Sequence, residues 1–144
     1  MGYFKELNGL HPETEYQFTI KFKLATNIEG GMVGIGGSPG SSVFVKCGIT
    51  NQKPENSLDS LNNFRLNIDK GSQSQGGADM IVVGNLEKEK NKFPGEYEFN
   101  QVELQFIAKT DSEGKVYLVI GTDSGFEGLT SYYLDDIHLS WDNI

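Results

Sequence analysis

The chain is short of the residues that several functional classes need. Its 144 residues hold one arginine (Arg65), one cysteine (Cys47), two histidines and three alanines. Twelve basic residues stand against twenty acidic ones, for a net charge of −8, and they lie scattered. That balance disfavours a nucleic-acid binder, which needs a basic footprint. One cysteine cannot close an internal disulfide, and His11 and His138 lie too far apart for zinc-ligand spacing. Few alanines against eighteen glycines disfavour a helical bundle, because alanine is the best helix former and glycine among the worst. No apolar run reaches the roughly 18 residues of a membrane-spanning helix. The start, Met1-Gly2-Tyr3-Phe4-Lys5-Glu6, has neither the basic nor the apolar region of a signal peptide. That fits a cytoplasmic protein or a domain cut back from an exported one.

What is present describes a globular chain. Hydrophobic residues make up 37% and aromatic residues 11%, and the length suits one domain over residues 1–144. Alternation carries the fold class. In residues 16–25, Tyr16, Phe18, Ile20, Phe22 and Leu24 share one face, while Gln17, Thr19, Lys21 and Lys23 share the other. A period of two over that length predicts a strand with one dry face. Residues 31–35, 43–47, 64–68, 97–108, 116–120 and 132–141 read as further strands. A bulge is expected near Asn100-Gln101, where the parity shifts. Met80-Ile81-Val82-Val83 reads as a strand covered on both faces. Asp111-Ser112-Glu113-Gly114 predicts a hairpin turn, residues 57–62 a helical turn, and residues 85–92 a solvated charged loop. Cys47 alternates with Val43 and Val45, as a small buried hydrophobe does. Eight or nine short strands without helices predict an all-β, antiparallel β-sandwich of jelly-roll, galactose-binding-like type.

Two glycine-rich patterns invite catalytic readings and fail them. Gly36-Gly37-Ser38-Pro39-Gly40 fits G-x-S-x-G, but that motif needs a backbone N–H after the serine and a following helix. Pro39 has no N–H, and a strand follows. The same absence of a helix removes a nucleotide-binding loop, and leaves a close-approach turn or a ligand rim.

Two polar segments, residues 67–77 and 121–130, carry hydrogen-bonding side chains among glycines. Asp69, Lys70, Gln73, Asp123, Ser124 and Glu127 could bond a hydroxyl-rich ligand, with Phe126 or Tyr132 as a stacking surface. Simple solvation of both segments is the alternative. In Asp135-Asp136, strand parity sends the two carboxylates to opposite faces, so an inward one would need a cation such as calcium, a donor cluster or an exposed sheet edge; a solvated or hydrogen-bonded strand end is the alternative.

Val33-Gly34-Ile35-Gly36-Gly37-Ser38-Pro39-Gly40, Asn67-Ile68-Asp69-Lys70-Gly71-Ser72-Gln73-Ser74 and Gly121-Thr122-Asp123-Ser124-Gly125-Phe126-Glu127-Gly128 resemble a family of bacterial secreted proteins or lipoproteins of unassigned function. The resemblance implies an extracellular or cell-envelope location and further sequence upstream. An N-terminal strand missing from this chain would leave an exposed edge and self-association. More distantly, Gly9-Leu10-His11-Pro12-Glu13-Thr14-Glu15-Tyr16 and Tyr132-Tyr133-Leu134-Asp135-Asp136-Ile137 resemble the ends of galactose-binding-like, jelly-roll carbohydrate-binding modules. That likeness implies a structural calcium held by Asp135 or Asp136. Together these features predict a non-catalytic module for carbohydrate or envelope glycan. A structural or protein-interaction domain is the first alternative, and a carboxylate- or metal-dependent hydrolase the second.

Overall fold

The computed structural model describes residues 2–90 and 92–144. The described residues form nine strands: β1 (Gly2–Leu7), β2 (Glu15–Thr26), β3 (Val43–Thr50), β4 (Asn56–Leu58), β5 (Phe64–Leu66), β6 (Ile81–Asn85), β7 (Glu98–Lys109), β8 (Val116–Ser124) and β9 (Tyr133–Asn143). Every strand pairing is antiparallel. One sheet has the order β1-β8-β3-β6, a second the order β7-β2-β9, and β4-β5 form a separate hairpin.

The alternation in β2 works as it reads. Tyr16, Phe18, Ile20, Phe22 and Leu24 are all at most 3% exposed, and together they meet Val43, Val45, Cys47 and Ile49 of β3. Val116, Leu118 and Ile120 of β8 complete this core between the two sheets. Each such side chain stabilises the fold by roughly 1.5–3 kcal/mol relative to its exposed state. The outward side of the β3-β8 pair is covered as well. There residues 51–80 fold back over it, and Leu66, Ile68 and Met80 pack on Val119 as a smaller core. The strand β3 is consequently buried on both faces along most of its length.

Several expectations are corrected. Residues 31–35 form a loop, not a strand, because two glycines at positive φ (Gly31, 77°; Gly36, 79°) bracket the run. Residues 57–62 form no helical turn: Ser57 and Leu58 belong to β4, and the Asp59 carboxylate accepts bonds from the N–H groups of Leu61 and Asn63 to close a hairpin turn. The run 80–83 is covered only in part: Met80 packs in the smaller core and Val83 against the main one, but β6 ends its sheet and Ile81 is 38% exposed. There is no bulge at Asn100-Gln101, where β2 and β7 stay in unbroken register from Glu15↔Lys109 to Thr26↔Glu98. The parity shift arises because a polar side chain, Asn100, takes an inward position, where it is 5% exposed. Its amide donates to the Glu87 carbonyl and accepts from the Glu89 N–H, which satisfies it there. The register shifts lie instead in β9, opposite Phe22, and in β6.

The segment 85–92 is only partly solvated: Leu86 and Lys88 are buried, and Lys88 Nζ meets Glu98 at 2.9 Å. Asn91, in that same segment, lies outside the described residues, as does Met1. The strand β1, which no alternation signalled, pairs along β8 from Gly2↔Gly121 to Leu7↔Val116 and forms one edge of its sheet.

Candidate functional site

Period-two geometry sets the centre of the site. In β3, Val45 and Cys47 point into the main core, so Lys46 points to the opposite face. Asp123 of β8 lies opposite Phe44, and Lys46 lies opposite Gly121, which makes Lys46 and Asp123 diagonal neighbours on that face. The loop after β5 covers them. Gly71 (φ 71°) and Gln73 (φ 45°) turn it back on itself, and Ser72 and Gln75 exchange backbone hydrogen bonds of 3.0 and 2.9 Å. A Cβ at Gly71 would collide with the Gln75 carbonyl, so the turn requires glycine there.

The Lys46 side chain is 1% exposed and all three of its N–H groups are used. Its Nζ donates to the carbonyls of Lys70 (2.7 Å) and Gln75 (3.0 Å) and to Asp123 Oδ2 (3.2 Å). The same Oδ2 accepts from Lys70 Nζ at 2.8 Å and from the Gln73 N–H at 2.9 Å. All three bonds to the Asp123 carboxylate go to Oδ2, which leaves Oδ1 without a partner among the described residues. Burial pulls the Asp123 carboxyl upward, but the bonds from Lys70, the Gln73 N–H and Lys46 outweigh it and hold the group below its ordinary value.

The three segments that carried the family resemblance converge here. The Gly125 N–H donates to the Ser42 carbonyl and the Glu127 N–H to the Ile35 carbonyl, both at 2.8 Å. At Gly36 a Cβ would strike the Gly125 carbonyl, so this glycine serves close backbone approach between the two loops. Ser38 sits in a turn leading to β3, and its hydroxyl accepts from the N–H groups of Gly40 and Ser41.

Beside the Lys46–Asp123–Lys70 cluster lies a cleft of about 390 Å³ between the outward face of β1-β8-β3 and the β4-β5 hairpin. Its sides are apolar: Phe4, Phe64, Leu66, Met80 and Val119. Its end is polar: Lys46, Lys70, Thr122 and Asp123, with Glu55 and Asn56 on the rim.

Of the residues singled out in the sequence, Lys70 and Asp123 line the cleft, and Gln73 joins them through its backbone N–H alone. The Asp69 carboxylate instead braces its own loop by accepting from the N–H groups of Ala78 (2.9 Å) and Gly71 (3.1 Å), bonds that lower its pKa. Ser124 Oγ closes a local turn on Phe126. The Phe126 ring is wedged between Gly34 and Gly128, so it packs the loops rather than offering a face to a ligand. Glu127 is exposed away from the cleft. Tyr132 is half-buried against the main core, where burial raises its phenol and the Thr122 contact lowers it in part. Sequence reading missed Lys46, Phe4 and Phe64. The strict alternation of β3 carried the one available signal, a lysine on the second face of an otherwise buried strand.

The expected calcium ligands lie on the surface. A register shift in β9 leaves Asp135 and Asp136 both exposed, rather than one facing inward. The Lys23 ammonium lies 3.0 Å from Asp136, and no cluster of three or more histidine, cysteine or acidic side chains is placed to hold an ion among the described residues. No helix among the described residues is long and apolar enough to cross a membrane. Compared with known proteins, the chain matches no family model, no curated protein and no solved structure.

Proposed function

We propose that the chain is a non-catalytic saccharide-binding module whose ligand occupies the cleft between the sandwich and the β4-β5 hairpin. One observation carries the reading. Asp123 spends a single oxygen, Oδ2, on its three donors, which leaves Oδ1 free beside a half-exposed Lys70 that gives one N–H to Oδ2. An acceptor and a donor side by side suit a hydroxyl, which both gives and takes a hydrogen bond. Phe4 and Phe64, 44% and 77% exposed, offer rings to the apolar C–H face of a sugar. Glycan binding also suits the exported setting that the sequence resemblance implies. The chain alternates between the two sheets from β6 to β9, which supports the jelly-roll type of wrapping.

Calorimetric titration with a panel of mono- and disaccharides tests the site. Binding by at least one sugar, lost in Phe64→Ala and in Lys70→Ala while both variants still unfold in one cooperative thermal transition, is the expected result. No heat from any sugar, or binding untouched by both substitutions, overturns the reading.

A further inference from the structure

The opposite side of the sandwich carries a second group of exposed aromatic rings, and it shares no residue with the cleft. In the β7-β2-β9 sheet, Ala25 lies opposite Phe99 on one side and Tyr133 on the other, so three strands set these residues in one row. Phe99 and Tyr133 are 54% and 62% exposed, whereas Ala25 between them is 6% exposed. Tyr97, just before β7, meets the Tyr133 ring edge-on with centroids 5.2 Å apart. Lys23 Nζ lies 5.7 Å from the centre of the Phe99 ring. Rings fixed on strands lose little freedom when a ligand lands on them, unlike rings on loops.

Next to the rings the face changes character. The register shift in β9 opposite Phe22 puts Asp136 in the left-handed region (φ 50°) and turns its carboxylate onto Lys23. Bulges re-aim side chains in this way. Beside it opens a shallow groove of about 430 Å³ lined by Lys21, Lys23, Gln101, Glu103, Asp136 and His138. From the Ala25 row to the Lys21 row the face runs four residues, roughly 14 Å at strand spacing. Both signs of charge and an amide occur along it, so no single charge selects the ligand. Apolar rings followed by mixed donors and acceptors match a chain of sugars, which presents C–H faces and hydroxyls by turns.

We infer that the outward face of the β7-β2-β9 sheet is a second binding surface, for an uncharged polysaccharide chain lying across Phe99, Tyr133 and the Gln101–His138 groove. It is independent of the cleft: a saccharide chain is read here by an open sheet face, a short sugar there by an enclosed one.

Affinity electrophoresis of the full chain through gels containing a soluble β-1,3-glucan, β-1,4-glucan or galactomannan tests this. Retardation by at least one polymer is expected. It weakens about tenfold or more in the Phe99→Ala/Tyr133→Ala variant, in line with losing two stacking contacts. Gln101→Ala weakens it too, and Phe64→Ala leaves it intact, which separates this surface from the cleft. Absence of retardation in all three gels overturns the inference, as does retardation that the double variant retains. Sedimentation provides the third arm: a wild-type dimer that the double variant converts to monomer assigns the rings to a self-interface instead and also overturns it.

Discussion

The Lys46 ammonium and the Asp123 carboxylate meet at 3.2 Å on the side of the sheet that faces away from the main core, with Lys46 1% and Asp123 17% exposed. Removing a lysine from water costs several kcal/mol, and pairing it recovers that only when its remaining N–H groups are also bonded. Here both other N–H groups end on carbonyls of the 70–75 loop. The pair therefore fixes position more than it adds stability. It ties a polar loop to two adjacent strands and thereby sets the polar end of the cleft.

Breaking this pair from one side should be costly. Asp123→Ala leaves Lys46 buried without its counter-charge and should lower stability by about 3 kcal/mol. The Lys46→Met/Asp123→Leu double variant removes both charges and should be more stable than Asp123→Ala alone. Urea denaturation measures both. A double variant no better than the single one would show that Lys46 does not need the carboxylate.

Acid should act through the same carboxylate. In the unfolded chain Asp123 titrates near its ordinary 3.8, while in the fold its pKa is lowered. The fold therefore gains stability from it above that value and loses the gain as pH falls through the folded pKa. Stability curves of wild type and Asp123→Asn should lie well apart at neutral pH and converge in strong acid. Some acid dependence will remain in the variant, because Asp59, Asp69 and Glu98 are shifted in the same direction. Parallel curves across the whole range would contradict the assignment.

The sequence made the main core legible and the cleft largely illegible, for one physical reason. Residues such as Phe18 and Ile20 announce their burial through neighbours two positions away, and so do Val116 and Leu118. The burial of Lys46 depends on carbonyls 24 and 29 positions later and on a carboxylate 77 positions later, so nothing local marks it. The strand β1 was silent because an edge strand with both faces partly wet has little reason to alternate. Asn100 imitated a bulge because a hydrogen-bonded amide replaced the apolar side chain at an inward position. Convergence of the 67–77 and 121–130 segments was suggested by their shared chemistry, but which of their side chains reach the cleft depends on turns closed by Gly71 and Ser124.

Glycines divide by the space around them, and two show the contrast. A Cβ at Gly48 would collide with the Asp79 carbonyl, where the covering loop rests on β3. Gly48→Ala should cost about 1–3 kcal/mol through forced displacement of that backbone. Gly84, on the edge strand β6, has nothing within 4 Å of such a Cβ and no positive φ. Gly84→Ala should be neutral or mildly stabilising, within about 1 kcal/mol, because it restricts the unfolded chain. Thermal melts of the two variants check this, and equal shifts would refute it.

Cys47 offers a readout of the main core. It is fully buried in β3, and burial pushes its thiol up to about 12, with a backbone hydrogen bond at Gly48 pulling slightly the other way. The nucleophile is the thiolate, so the folded protein should not react with a disulfide reagent at mildly alkaline pH, whereas the protein in denaturing urea should react at once. Native labelling should proceed only through opening of the β3-β8 pair, at a rate that rises in step with urea-induced unfolding. The raised pKa also fixes the sign of an alkaline effect. Below the ordinary 9.0 the thiol is protonated in both states, and as pH climbs from there toward about 12 the unfolded chain ionises first and stability falls. Tyr117 and Tyr132 are shifted the same way, so Cys47→Ala should remove part of that alkaline loss and leave the rest. Rapid labelling of the native protein would place Cys47 outside the core and overturn the packing of β3.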